Sequence, residues 1–103
     1  MYGNPEVYVT ENGACYDDRV APDGTVADAE RVTYLREHIA VARRAIADGV
    51  KLKGYFAWSL LDNFEWSEGF SRRFGLIYVD FKSQKRTPKA SFNFLAERMK
   101  QRG

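Results

Sequence analysis

The order of predicted elements constrains this chain more than any other feature: strand, helix, strand, a long aromatic loop, helix. Val7-Tyr8-Val9-Thr10 is a β-branched and aromatic run between Asn4-Pro5 and Asn12-Gly13, which predicts a short strand ended by turn residues. Ala14 to Gly24 is polar and rich in turn residues, with Asp17-Asp18 and Pro22-Asp23-Gly24, and predicts a loop. From about Asp28 to Asp48, Val32, Leu35, Ile39, Ala42 and Ile46 recur at spacings of three and four, the apolar stripe of a helix. Gly49 stands where a helix-ending glycine belongs. Leu52 to Ser59 is apolar at both parities, the pattern of a strand covered on both faces. Phe74 to Phe81 predicts further extended structure within the loop, with a hairpin arm as one form of it. Thr87 and Pro88 predict the N-cap and first position of a last helix, with Phe92, Leu95, Ala96 and Met99 as its buried stripe.

Two successive βα units imply parallel strands with helices packed outside them. Two strands alone cannot bury such a sheet. A (β/α)8 barrel takes about 250 residues, and this chain has 103. An α/β architecture of two βα units from such a barrel is therefore expected. The start at Met1-Tyr2-Gly3-Asn4-Pro5, which runs almost at once into a strand, fits an internal beginning.

Composition narrows the function classes. Aromatics make up 15% of the residues and hydrophobic residues 45%, which excludes a disordered chain. With 16 basic and 14 acidic residues the net charge is only +2, and the two signs are mixed, so no nucleic-acid stripe is expected. The basic positions read as solvated faces and helix C-terminal charges. Cys15 is the only cysteine and His38 the only histidine, leaving no disulfide framework, no cysteine-rich metal site and no histidine placed beside a nucleophile. His38 falls within the helical pattern and reads as structural, and Cys15 as a small residue without chemistry. No apolar run is long enough to span a membrane. No cofactor, metal or membrane partner is expected, and the expected compartment is the cytoplasm.

Function in such barrels lies at the C-terminal ends of the strands. The first strand ends at Thr10-Glu11 and puts a carboxylate there. The second ends near Trp58-Ser59 and continues through Leu60-Leu61-Asp62-Asn63-Phe64-Glu65-Trp66, bringing aromatics and a carboxylate to the same rim. Aromatic faces suit the C–H surface of a sugar, and carboxylates suit paired hydroxyls. Glycoside hydrolysis commonly uses two carboxyl groups.

The motifs go further than spacing does. Thr10-Glu11-Asn12-Gly13, after Val7-Tyr8-Val9, resembles the nucleophile strand of the family 1 glycoside hydrolases, the β-glucosidase family. Gly54 to Trp66 resembles the eighth strand of that family and its loop, and Glu68-Gly69-Phe70, Arg73-Phe74-Gly75-Leu76, Val79-Asp80 and Arg86-Thr87-Pro88-Lys89-Ala90-Ser91 continue the match in order. The resemblance implies the last two βα units, strands 7 and 8, of a (β/α)8 TIM barrel. It implies Glu11 as the catalytic nucleophile and Trp58 as part of the platform under the sugar. It further implies Glu65 on the O4 and O6 hydroxyls, Trp66 donating its indole N–H to O3, and Phe74 as a wall beside the ring. A β-glucoside or short β-linked oligosaccharide is the implied substrate. The Glu65-Trp66 pair implies an unphosphorylated sugar, because a carboxylate there repels a 6-phosphate.

The family's acid/base glutamate lies in an Asn-Glu-Pro motif that nothing here matches, since Asn4-Pro5-Glu6 has the wrong order. A retaining mechanism needs its two carboxyl groups about 5–5.5 Å apart. The N-terminal remainder of a barrel is thus the implied partner, and the isolated chain is expected to be inactive or nearly so. Two rivals remain at this level. A non-catalytic carbohydrate-binding module could use Trp58 and Trp66 as a platform, but the long helix argues against the usual β-sandwich. A small interaction protein made from a barrel fragment is the other.

Overall fold

The computed structural model describes residues 3–63 and 72–100. β1 (Glu6–Asn12) and β2 (Lys51–Ala57) form a parallel pair, with α1 (Ala29–Ala47) as the crossover between them. β3 (Ile77–Val79) and β4 (Arg86–Pro88) form an antiparallel hairpin, and α2 (Ala90–Lys100) follows it. The predicted order of elements holds, and the Phe74–Phe81 stretch does contain a hairpin arm.

Local chemistry sets the end of α1. Gly49 adopts φ +102°, the left-handed region open to glycine, and donates its N–H to the Ile46 carbonyl at 3.0 Å. The start of α2 differs from expectation. Thr87 and Pro88 are not cap and first turn: they lie in β4, paired with Tyr78 and Ile77, and the helix begins at Ala90. Its first amides are satisfied from elsewhere in the chain. Ala90 N–H donates to the Val26 carbonyl at 2.9 Å, and Ser91 N–H donates to Asp28 Oδ1 at 2.9 Å. Asp28 stands at the N-cap position of α1 yet makes no side-chain cap bond there, so its carboxylate caps the other helix instead.

The interior is dominated by charge rather than by apolar side chains. Among the described residues only Val26, Leu35, Leu76 and Val79 are buried hydrophobics, and the two largest fully buried side chains are Arg31 and Lys89. Asp18 accepts from Arg31 at 2.8 Å and from Lys89 at 2.6 Å. Asp28 takes Arg31 and the Ser91 hydroxyl. Asp62 takes Lys89 at 2.8 Å, Arg73 at 2.7 Å, and the amides of Gly75 and Val79 at 3.0 and 3.2 Å. The expectation that the basic residues are solvated is therefore wrong for Arg31, Arg73 and Lys89. Burial of an ion is tolerable only when each lone pair and each proton finds a partner, and here one clasp supplies them.

The apolar stripes are only partly covered. Leu35 is buried and Val32, Ile39 and Ala42 are half-buried, but Ile46 and Met99 are exposed. β2 is likewise not covered on both faces within this chain, since Tyr8 on its partner strand is 56% exposed and Phe56 is 58% exposed. The radius of gyration is 15.6 Å, above the roughly 13 Å of a self-contained domain of about 100 residues. Both facts fit a piece of a larger sheet.

Candidate active site

The parallel register fixes where the chemistry-bearing residues stand. Val7 pairs with Leu52, Tyr8 with Gly54, Val9 with Tyr55, and Asn12 with Ala57. Between the last two pairs β1 spends one residue more than β2, which is a bulge at Thr10-Glu11. Val7, Val9 and Asn12 line the hollow beneath α1 together with Leu52 and Tyr55. Because the bulge shifts the alternation, Glu11 falls on the opposite face, the one shared by Tyr8, Gly54 and Phe56. Its carboxylate is exposed. Trp58 follows β2 at the same C-terminal end and continues the parity of Phe56. It is 38% exposed.

The two strand ends are stitched together. Trp58 N–H donates to the Asn12 carbonyl at 2.8 Å. A Cβ on Gly13 would stand 1.9 Å from the Trp58 carbonyl oxygen, so the motif needs glycine there for the backbones to approach. The Trp58-Ser59 peptide is cis. Beyond it, the base of the loop is closed by Ser59 N–H to Phe74 O at 3.3 Å, Leu76 N–H to Ser59 O at 2.9 Å and Ile77 N–H to Leu60 O at 2.8 Å. Phe74 is half-buried at that closure. Asp62 holds the loop by accepting the backbone amides of Gly75 and Val79, and adds two ion pairs. Burial alone would raise the Asp62 pKa, but the Lys89 and Arg73 hydrogen bonds outweigh it and hold the carboxyl below its ordinary value. Glu65, Trp66 and Glu68-Gly69-Phe70 lie outside the described residues.

Glu11 and Trp58 thus share one end of one parallel pair, and Phe74 is tied to the residue after Trp58. His38 takes no part: it stacks on Tyr34 at 3.9 Å and its Nδ1 lies 2.8 Å from the Tyr34 carbonyl oxygen. Cys15 is a half-buried free thiol. Glu11 does not line the hollow of about 580 Å³ under α1, whose walls are mainly apolar side chains. Among the described residues no group of three or more His, Cys, Asp or Glu side chains could hold a metal ion. Sequence reasoning missed the contacts of Asn12. Its side chain meets Tyr55 and Tyr34, residues more than twenty positions away, and no local pattern signals such a contact.

The family model of glycosyl hydrolase family 1 matches residues 1–103. The chain belongs to glycosyl hydrolase family 1. Among family 1 relatives, the β-glucosidase A of Thermotoga maritima is 56% identical over 102 residues, which is 99% of this chain and 23% of the relative. The β-glucosidase of Agrobacterium sp. is 52% identical over 90 residues, 87% of this chain and 19% of the relative. A 6-phospho-β-galactosidase of Leptotrichia buccalis is 54% identical over 86 residues, 84% of this chain and 18% of the relative. The structure of the Thermotoga maritima β-glucosidase in complex with deoxynojirimycin superposes with TM-score 0.91 at 57% identity, covering 93% of this chain and 22% of that one. The chain therefore spans less than a quarter of the length of these family 1 relatives. Family 1 β-glucosidases are (β/α)8 barrels, and this chain is a partial α/β piece of that fold.

Proposed function

We propose that this chain is the C-terminal quarter of a retaining β-glucosidase barrel, comprising strands 7 and 8 with their helices, and that Glu11 is the nucleophile. One observation carries the proposal: Glu11 and Trp58 stand at the same C-terminal end, and on the same face, of two hydrogen-bonded parallel strands. That end of a barrel is where its chemistry lies.

In the complete barrel, the Glu11 carboxylate attacks the anomeric carbon as the bond to the leaving oxygen breaks. The proton for that oxygen comes from a glutamate of the N-terminal remainder. The resulting glycosyl-enzyme is then hydrolysed by water, with the same glutamate acting as base. Trp58 lies under the ring, Phe74 walls it, and Glu65 and Trp66 bind its distal hydroxyls. The substrate is a terminal β-glucoside or short β-linked oligosaccharide. A 6-phosphate would face the Glu65 carboxylate, so the plain glucoside is preferred, although one relative is named a 6-phospho-β-galactosidase.

The test is a chimera in which residues 1–103 replace the matching segment of the Thermotoga maritima β-glucosidase A. It is expected to hydrolyse an aryl β-glucoside and to discriminate against its 6-phosphate. Glu11→Ala is expected to lose at least about a thousandfold in kcat, with added azide restoring turnover of an activated aryl glucoside by taking the place of the carboxylate. A Glu11→Ala chimera with unchanged kcat would sink the assignment.

A further inference from the structure

We propose that Asn12, clamped by Tyr55 and Tyr34, is the positioning residue that holds Glu11 on the sugar-facing side of β1. The inference rests on Glu11 being the nucleophile. The bulge between Val9 and Asn12 is what turns Glu11 to that face. β2 spends one extra residue between Leu52 and Gly54 and β1 one extra between Val9 and Asn12, so the two strands match in length overall. The extra β1 residue beside Glu11 can nonetheless sit at more than one position, and a shift of one position moves a side chain to the other face. Something must therefore fix where the surplus ends.

Asn12 is that point. Its Oδ1 accepts the Tyr55 hydroxyl of β2, and its Nδ2 donates to the Tyr34 hydroxyl of α1 at 3.4 Å. Its backbone carbonyl accepts the Trp58 N–H at 2.8 Å. The side chain is thus committed to the helix side of the sheet, which leaves the adjacent Glu11 on the other. The same residue ties the proposed nucleophile to the sugar platform. Tyr55 is a durable donor: burial, then the nearby Tyr34, push its phenol up to about 12, so it keeps its proton at any ordinary working pH. Tyr34 is itself held by its stack on His38. Both tyrosine hydroxyls meet Asn12 on the face away from Glu11, so they act through Asn12 rather than on the sugar.

The experiment uses the chimeric barrel with Tyr55→Phe, Asn12→Ala and the double variant. Two quantities are read: the rate of covalent trapping by a 2-deoxy-2-fluoroglucoside, and the Ki of glucose, a neutral ligand with no ammonium to pair with the Glu11 carboxylate. Because displacing a reacting group by about 1 Å can cost about a hundredfold, Tyr55→Phe is expected to slow trapping about tenfold and Asn12→Ala about a hundredfold. The Ki should stay within about twofold, since a purely structural role would weaken both together. The double variant should match Asn12→Ala, because the hydroxyl has no route to Glu11 except through the amide. Trapping within twofold of the parent in Tyr55→Phe, a parallel loss of Ki, or effects that multiply in the double variant would each overturn the proposal. If Asn12→Ala does not fold, Tyr55→Phe and Tyr34→Phe decide it on the same two readouts. A Glu11→Ala barrel that still turns over would instead defeat the nucleophile assignment beneath it.

Discussion

At Gly13, one methyl group separates a working strand end from a broken one. Its Cβ would meet the Trp58 carbonyl oxygen and carbon, which are backbone atoms and cannot swing aside. Gly13→Ala in the chimeric barrel is expected to cost about 3 kcal/mol, the upper end of overpacking costs, read as a thermal midpoint several degrees lower. An unchanged midpoint would mean that the approach relaxes freely. Much at this scale was legible in the sequence. Glu11 at a strand end, the turn residues after it and an aromatic at the end of the next strand all lie in short contiguous motifs. The bulge was not legible, because apolar alternation over Val7 to Thr10 breaks off before the surplus residue. The contacts of Asn12 were not legible either, since its partners lie on other elements.

At the scale of elements, the charged clasp does what an apolar core would do in a larger body. Asp18 comes from the loop after β1, Asp28 and Arg31 from the start of α1, Asp62 and Arg73 from either side of the long loop, and Lys89 from the start of α2. Lys89→Met is expected to destabilise the barrel by about 3–5 kcal/mol, because it leaves two buried carboxylates short of a cation. Thermal unfolding of the variant beside the parent checks this. The clasp also predicts an acid limit. The Asp62 pKa is lowered by folding, so its contribution is fully present above the ordinary value of 3.8 and is lost as pH falls through the lower folded value. Stability of the parent should drop across that window, and Asp62→Asn should flatten part of the drop. Thr87-Pro88 misled the sequence reading here for a physical reason. The pair suits a helix start, but it suits an edge strand equally, and tertiary pairing with β3 decided between them.

For the whole molecule, the exposed Tyr8 and Phe56 and the large radius of gyration point the same way as the relatives, of which this chain covers less than a quarter. Among the described residues no third strand joins the parallel pair, and Tyr8 and Phe56 are exposed on one of its faces. Purified alone, the chain is expected to show no measurable turnover of an aryl glucoside, and mixing it with an N-terminal barrel remainder is expected to restore some. The two-unit α/β order was legible because helix and strand periods are local. The charged interior was not, because Arg31 and Lys89 look in sequence like any solvated cation, and only the convergence of separate elements buries them. The most direct measurement is mass spectrometry of the chimeric barrel after inactivation by a 2-deoxy-2-fluoroglucoside. The prediction is one fluoroglucosyl group on the Glu11 side chain; a label on any other carboxylate, or inactivation without a label on this segment, would contradict it.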